Sequence, residues 1–260
     1  VPLSLIKHAG VSACKLQFAE SVAFVTFMRF DVLTLFPDLI KSHMDFSIMK
    51  RASEEGIISV NTINPRDFTL DKHKKVDDTP YGGGAGMVLM PQPYIDAYNS
   101  LEKVENSITL MMTPQGEPFT DKISNELAKY EQVIILCGHY EGFDERIREI
   151  IKPREISIGD FVLTGGELPA LCIIDSVSRK IEGTLGKIES AHDDSFADGL
   201  LEYPQYTKPR EYMGYKVPDV LLNGNHKLIE EYRMEQKILR TKFKRPDLYE
   251  KFIQRNKLPE

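Results

Sequence analysis

Strand-like and helix-like segments alternate along the chain from residue 28 to residue 181. This alternation constrains the fold more than any other feature of the sequence. A strand followed by a helix and a second strand usually forms a parallel pair, because the helix carries the chain back to the starting edge of the sheet. The sequence therefore predicts an α/β domain with a mostly parallel sheet.

The individual elements follow from apolar runs bounded by Gly, Pro and polar residues. The helix at 168–181 is apolar nearly all round, which predicts burial or a subunit interface. The strand at 107–112 is expected to end in a turn at 113–116. Strands are predicted at 30–36, 57–63, 107–112, 132–137 and 155–163, and helices at 37–55, 90–100, 121–130, 144–151 and 168–181.

The composition divides the chain into parts. Residues 1–27 differ from the rest and are expected to be a non-functional extension, and residues 28–185 carry the alternating pattern. Residues 186–198 are small, polar and charged, as in a linker. Residues 199–260 are predicted to form a small helical domain. In it Asn225 caps a helix that ends near Phe243, with Leu228, Tyr232 and Phe243 near one face, and Pro246 begins another helix.

The charge is distributed unevenly between these parts. The net charge of the chain is -6, whereas residues 199–260 hold 13 Lys and Arg against 9 Asp and Glu. The basic segment is a weak indication of nucleic-acid binding, and a solvated helix face would explain it equally. No run of 18 apolar residues predicts a membrane span. The 3 cysteines cannot build a disulfide framework, and this favours the cytoplasm.

A glycine-rich segment occupies residues 81–87, Tyr-Gly-Gly-Gly-Ala-Gly-Met. Its four glycines allow a sharply bent backbone or a close approach to a ligand. It lacks the Lys-Ser/Thr of a phosphate-binding P-loop, and Met87 replaces the third glycine of a dinucleotide-binding loop. A flexible loop is the alternative interpretation.

Two predicted strands end in glycine and polar residues, at 134–146 and at 156–169. Ligands of open parallel sheets bind beyond the carboxyl ends of the strands. His139, Tyr140 and Glu141 are therefore candidate site residues, and the two ends could form the walls of one pocket for an adenosine-like ligand. Simple turn chemistry remains the alternative.

The linker contains Ser-Ala-His-Asp-Asp-Ser-Phe at 190–196. Carboxylates beside a hydroxyl and an imidazole can perform acid–base chemistry or bind a metal. A solvated acidic linker is the alternative. No GxSxG or HExxH motif is present, and Cys137 and Cys172 lie in apolar segments typical of buried, unreactive thiols.

Taken together, these segments resemble the bacterial tRNA (guanine-N1)-methyltransferases of the SPOUT class. The resemblance covers residues 28 to about 247 and rests on the order and spacing of several motifs. They are Pro-Arg-Asp-Phe at 65–68, Val-Asp-Asp-Thr-Pro-Tyr-Gly-Gly-Gly-Ala-Gly-Met at 76–87, Cys-Gly-His-Tyr-Glu-Gly-Phe-Asp-Glu-Arg at 137–146, Ser-Ile-Gly-Asp-Phe-Val-Leu-Thr-Gly-Gly-Glu-Leu-Pro-Ala at 157–170, Ile-Asp-Ser-Val-Ser-Arg at 174–179, Asp-Ser-Phe at 194–196 and Val-Leu-Leu-Asn-Gly-Asn-His at 220–226.

The resemblance implies a parallel sheet whose C-terminal part forms a trefoil knot, with S-adenosylmethionine bound in the knot. It also implies a homodimer whose active sites are shared between subunits, and a guanosine substrate immediately 3′ of the tRNA anticodon. The cofactor-binding residues implied are Pro114, Gly138, Ile158, Gly159, Asp160, Phe161, Val162, Leu163, Gly165, Gly166 and Pro169.

The resemblance also assigns roles to individual residues. Asp194 matches the general base, Arg179 the arginine that stabilises charge on guanine O6, and Glu141 an acidic residue near the guanine. Glu141 and Asp194 are the candidate magnesium ligands. The implied substrate-binding residues are Gly82, Gly83, Gly84, Gly86 and Tyr140. His139 stands where many relatives have Arg.

Two other functions remain open from the sequence. The chain could be an RNA-binding protein of the same fold without catalysis, which would need neither the cofactor pocket nor the base. It could also be a methyltransferase of the same class that acts on another RNA site. The segment at 81–87 and Asp194 favour the tRNA guanine enzyme.

Overall fold

The structure, a computed structural model, describes residues 27–185 and 194–256, which belong to two compact units. The first unit contains β1 (Met28–Leu33), α1 (Pro37–Met44), α2 (Ser47–Glu54), β2 (Ile58–Ile63), β3 (Asp77–Asp78), β4 (Val88–Leu89), α3 (Pro91–Asn99), β5 (Ser107–Pro118), α4 (Asp121–Leu127), β6 (Gln132–Cys137), α5 (Glu145–Ile151), β7 (Arg154–Ser157) and α6 (Glu167–Ser178).

A five-stranded parallel sheet in the order β2-β1-β6-β5-β7 forms the centre of this unit. The predicted α/β class is confirmed. Every residue of the central strand β6 is buried, because helices cover both faces of the sheet. Val133, Ile135 and Cys137 pack into one apolar layer, whereas Ile134 and Leu136 pack into the other.

A polar cluster lies inside the sheet at the start of β1. Asp31, which is 2% exposed, accepts hydrogen bonds from Arg29 Nε at 2.8 Å, Gln132 Nε2 at 2.6 Å and Asn61 Nδ2 at 3.1 Å. These donors lie on three adjacent strands, so the cluster satisfies a buried carboxylate and fixes the strand register.

Several predicted boundaries are wrong. The predicted helix at 37–55 is two helices, α1 and α2, separated where Ser47 has a φ of +53°. The predicted strand at 155–163 ends at Ser157, and the predicted helix at 121–130 ends at Leu127. β5 continues beyond 112 to Pro118, and its pairing with β7 shifts register between Met112 and Glu117.

Helix α6 is only half buried, although it is apolar nearly all round. Ala170, Ile173 and Val177 pack into the core, whereas Leu168 is 52% exposed. Cys172 is exposed as well, which corrects the expectation of a buried thiol. A subunit interface on this side therefore stays a prediction.

The second unit contains β8 (Glu211–Tyr212), β9 (Tyr215–Lys216), α7 (His226–Lys244) and α8 (Pro246–Asn256). Asn225 caps α7 as predicted, because its Oδ1 accepts the Leu228 N–H at 3.3 Å. The residues predicted near one face of α7 are not all buried among the described residues, since Phe243 is 88% exposed. The buried side of α7 carries Lys237, paired with Asp198, and Thr241, whose Oγ1 accepts the Leu201 N–H at 2.8 Å.

No helix within residues 27–185 and 194–256 is long and apolar enough to cross a membrane. The predicted extension at 1–27, apart from its last residue, and most of the predicted linker at 186–198 lie outside the described residues. The predicted division into domains therefore stays a prediction.

Candidate active site

The chain segments that follow β6 and precede α6 lie side by side at the carboxyl edge of the sheet. The Gly166 N–H donates to the Gly138 carbonyl at 2.8 Å, and His139 forms an isolated antiparallel bridge with Gly165. Thr34, at the end of β1, donates its hydroxyl to Glu167 Oε1 at 2.7 Å and ties the first turn of α6 to the sheet. The two predicted pocket walls therefore meet.

A cavity of about 300 Å³ opens between these segments and the register shift of β5. This volume is at the lower end of the range for small-molecule sites, about 300–1,000 Å³. Its apolar lining includes Met112, Ile156 and Leu163, and its polar lining includes Thr113 and Ser157. Such walls suit a flat heterocycle with hydrogen-bonding edges, as in an adenosine.

All but one of the residues that the sequence predicts for cofactor binding line this cavity. Asp160 is exposed and is the one predicted residue that does not line it. The predicted residues that line it are Pro114, Gly138, Ile158, Gly159, Phe161, Val162, Leu163, Gly165, Gly166 and Pro169.

Two glycines in this wall have no room for a side chain. A Cβ on Gly166 would lie 2.8 Å from the Cys137 Cα, and a Cβ on Gly165 would lie 2.4 Å from Glu167 Oε2. Neither glycine has a positive φ, so close packing explains their identity. At these two positions the wall therefore consists of backbone alone.

The glycine-rich segment at 81–87 lies against the turn that follows β6. The Glu141 N–H donates to the Met87 carbonyl at 3.0 Å. Gly86 has a φ of +83°, and a Cβ there would lie 2.2 Å from Glu141 Oε1. The absence of a side chain at Gly86 thus leaves space for the Glu141 side chain, which also lines the cavity. The remaining predicted glycines, Gly82, Gly83 and Gly84, also have positive φ and are exposed.

Tyr140 occupies the left-handed region with a φ of +59° and is 44% exposed. Its hydroxyl oxygen accepts a hydrogen bond from Arg66 Nη2 at 3.4 Å. Its ring packs edge-on against His139 at 4.8 Å between centroids, and His139 lies 4.9 Å from Phe36. The predicted residues Tyr140 and Glu141 are therefore beside the cavity.

Arg179 and Asp194 belong to different compact units. Arg179 is half-buried at the C-terminal end of α6, and its backbone N–H donates to the Asp175 carbonyl at 3.2 Å. The Asp194 carbonyl accepts the Ala197 N–H at 3.3 Å.

Sequence reasoning missed two charged residues of the site. Arg148 lines the cavity from α5 and forms ion pairs with Glu145 at 3.0 Å and Glu155 at 3.2 Å. Glu167 is 4% exposed and lies against Gly165. A signal for Glu167 was present, because it directly follows the glycine pair at the start of α6, where an acidic residue favours the helix dipole.

The thiol of Cys137 is not a nucleophile candidate. Burial raises the pKa of this thiol well above its usual value, with a smaller contribution from the charge of Glu167. Burial likewise raises the pKa of Tyr94, whose hydroxyl donates to the Cys137 carbonyl at 3.1 Å. Both groups therefore stay protonated at neutral pH.

Among the residues that the structure describes, no group of three or more His, Cys, Asp or Glu could hold a metal ion. Magnesium is often bound by one or two carboxylates together with oxygens of substrate and water. Glu141 could belong to such a partial set, because it is exposed and lines the cavity.

Comparison with known proteins identifies the family of the chain. Residues 28–251 match the family described as tRNA (Guanine-1)-methyltransferase TrmD. The chain is 53% identical over 225 residues to a tRNA (guanine-N(1)-)-methyltransferase of Staphylococcus epidermidis, a match that covers 86% of this chain and 92% of the relative. The same-named protein of Staphylococcus carnosus is 54% identical over 225 residues, with the same coverage of both chains.

Proposed function

Because the chain belongs to the tRNA (guanine-1)-methyltransferase family, we propose that it methylates the guanosine immediately 3′ of the tRNA anticodon, with S-adenosylmethionine as methyl donor. Methylation of guanosine N1 in tRNA follows from the family itself. The family therefore sets aside an RNA-binding protein without catalysis. The other alternative open from the sequence, an enzyme for another RNA site, is tested by the experiment below.

One observation carries the assignment of the site. Residues from three separate segments, chosen from the sequence as cofactor-binding, line a single cavity beside Glu141 and the glycine-rich segment. We assign this cavity to S-adenosylmethionine, which supplies a methyl group bound to a sulfonium when it is present. The apolar and polar groups of its lining suit the adenosine part.

The proposed chemistry uses Asp194 and Arg179. Guanine N1 carries a proton and is a poor nucleophile until that proton is removed. The Asp194 carboxylate accepts the proton from N1, and negative charge then develops on O6. The Arg179 guanidinium donates hydrogen bonds to O6 and stabilises this charge. A preorganised donor of this kind contributes about 3–4 kcal/mol in other enzymes.

The glycine-rich segment and Tyr140 are assigned to the guanine. A base in a stacked loop must be extruded before its N1 can reach an enzymatic pocket. The glycines at 82–84 and 86 allow the backbone to approach the extruded base closely, and Tyr140 offers an exposed ring beside it. Glu141 and Asp194 are the proposed ligands of a magnesium ion.

The proposal extends to the organisation of the molecule. Residues 28–185 hold the cofactor in a trefoil knot, residues 199–260 bind the tRNA, and residues 186–198 bring Asp194 into the active site. Residues 1–27 are dispensable.

Two subunits share each active site, and the exposed apolar side of α6 around Leu168 is a suitable contact surface. Its tRNA substrate places the enzyme in the cytoplasm.

Methyl transfer from labelled S-adenosylmethionine to two tRNA transcripts tests the proposal. One transcript carries guanosine 3′ of the anticodon, and the other carries adenosine there. We expect label on the first alone. Label on both would discard the position, and label on neither, with cofactor binding demonstrated, would discard the activity.

A further inference from the structure

A short hairpin in the second compact unit has no part in the chemistry proposed above. Glu211 and Tyr212 pair antiparallel with Tyr215 and Lys216. Met213 and Gly214 form the turn, with φ values of +50° and +83°. The Val217 N–H donates to the Arg210 carbonyl at 2.9 Å and extends the hairpin by one pair.

Three large side chains at the tip of this hairpin are open to solvent. Tyr212 is 68% exposed, Met213 81% and Tyr215 83%. Tyr212 and Tyr215 are direct cross-strand partners, so both rings lie on the same face of the hairpin. Apolar side chains clustered in this way mark a binding surface more often than scattered single ones do.

The turn residue Met213 is unusual for its backbone conformation. Two-residue hairpin turns with positive φ at both positions strongly favour Asn-Gly, because Asn tolerates the left-handed region. Met213 occupies the Asn position and gains no burial in return. A strained and exposed apolar residue indicates a function for its side chain.

The charge around these side chains indicates the kind of partner. Lys208, Arg210 and Lys216 are all exposed, and Glu211, which pairs with Lys216 at 3.7 Å, is the one acidic residue among 208–216. Aromatic rings flanked by cations are the pattern that binds single-stranded nucleic acid, because the rings stack on bases and the cations contact phosphates. A second copy of this chain has a net charge of -6 but carries no phosphates, so it fits these side chains less well than nucleic acid does.

We propose that the hairpin surface, defined as residues 208–216, binds an unpaired nucleotide of the tRNA substrate. A base stacks on the ring of Tyr212 or Tyr215, Met213 packs beside it, and Lys208, Arg210 and Lys216 contact the neighbouring phosphates. An unpaired nucleotide is required because bases inside a duplex cover each other's faces. This inference rests on the proposed tRNA substrate and adds a contact outside the catalytic residues.

The test measures the affinity of the full chain for an unmodified tRNA transcript at several salt concentrations. The variant Y212A/Y215A removes both rings, and Y212F/Y215F is its matched control, because it keeps the rings and removes only the hydroxyls. We expect the alanine variant to bind about 5- to 150-fold more weakly, the effect of losing one stacked base. We expect the phenylalanine variant to bind like the unaltered chain.

The salt dependence of tRNA affinity separates the contribution of ring stacking from that of the phosphate contacts. The alanine variant should keep the slope of affinity against salt, whereas Lys216→Gln should reduce that slope by about one. Met213→Asn is a second test of the hairpin surface if the alanine variant does not fold, because Asn tolerates the left-handed backbone of this turn position. It should keep the hairpin folded and still weaken tRNA binding.

The outcomes distinguish the two proposals. If the unaltered chain binds and methylates tRNA while Y212A/Y215A and Met213→Asn bind it equally well, the hairpin surface is not a tRNA contact. A change in oligomeric state without a change in tRNA affinity would show that the surface contacts a second copy instead. If the unaltered chain does not bind tRNA at all, the proposed function itself fails.

Discussion

Gly86 shows how a single residue can set the position of a side chain proposed for the active site. The Glu141 carboxylate occupies the space where a Cβ of residue 86 would lie, and the backbone of Gly86 is left-handed. Any L-amino acid at this position would therefore meet two obstacles. One is the conformational cost, about 1–2 kcal/mol, and the other is displacement of Glu141.

Gly86→Ala should lower the methyl-transfer rate sharply, because the new methyl group displaces the Glu141 side chain from the cavity edge. Gly56→Ala is the matched control, since Gly56 also has a positive φ, +69°, but has nothing within 4 Å of a Cβ. We expect the control to lose some stability and keep its activity. Steady-state rates with tRNA and thermal unfolding of both variants check this, and equal rates in the two would remove Glu141 from the active site.

Asp194→Asn should reduce turnover by about 10²- to 10⁴-fold, because the amide cannot accept the N1 proton. The affinity for S-adenosylmethionine should stay close to that of the unaltered chain, since the proposed cofactor cavity is lined by residues between 112 and 169. Single-turnover methyl transfer and calorimetric cofactor binding measure the two quantities. Loss of cofactor affinity would assign Asp194 a structural role.

At the scale of elements, the sequence predicted the central strand β6 better than the edge strand β7. The bounds of β6 agree with the prediction at both ends, because a short apolar run between polar residues has few other solutions. The segment 158–163 was predicted as strand and instead lines the cavity. Ile158, Phe161, Val162 and Leu163 have strand-forming side chains, and local sequence does not show that they face a ligand site.

The irregular pairing of β5 with β7 also could not be predicted from local sequence. Thr113 and Gln115 line the cavity because the strand leaves and rejoins its pairing with β7. A Pro-Gln-Gly sequence predicts a turn, but the resumption of pairing depends on a strand that comes 36 or more residues later. The glycine-terminated strand ends were recognisable from sequence, whereas Arg148 was not, because a helical arginine gives no local sign of the cavity beside it.

At the start of α5, Asp144 both caps the helix and forms an ion pair with Arg146. Asp144 Oδ1 accepts the Arg146 N–H at 3.0 Å, and the Arg146 guanidinium donates to both carboxylate oxygens at 2.8 and 2.7 Å. Hydrogen bonding to the Arg146 side chain lowers the pKa of Asp144. A lowered folded-state pKa adds stability above the unfolded value, about 3.9, and this stability is lost as the pH falls through the folded value.

Asp144→Ala should lower the free energy of unfolding by about 0.5–2 kcal/mol near neutral pH, the usual effect of losing a helix cap. Asp144→Asn keeps a capping oxygen and removes the charge, so it should cost less. The gap between the unaltered chain and Asp144→Asn should shrink as the pH falls below about 3.9. Urea unfolding across this range measures it, and a gap independent of pH would show that the ion pair adds nothing.

For the whole molecule, the cofactor cavity and the basic segment belong to different compact units. Every residue that lines the cavity lies between 112 and 169, inside the unit that holds the parallel sheet. The net charge of 199–260 is positive, against the negative remainder of the chain. Cofactor binding and tRNA binding should therefore be separable.

A chain that ends at residue 185 should bind S-adenosylmethionine with nearly unchanged affinity. It should not methylate tRNA, because Asp194 and the basic segment are absent. Calorimetry, with circular dichroism as the check of folding, measures the first property, and the labelled-methyl assay measures the second. A folded fragment without cofactor affinity would show that the second unit is needed for the cavity.

The cavity has a consequence for the lifetime of the protein. Its walls come from β5, from the turn after β6, from α5 and from the segment before α6, so the cavity exists only when the sheet is assembled. A cofactor that binds it therefore binds the folded chain alone. By mass action, a cofactor at about 100 times its dissociation constant adds about 2.7 kcal/mol to the free energy of unfolding. The population of unfolded chains, and with it proteolytic turnover, should follow the methyl-donor supply of the cell.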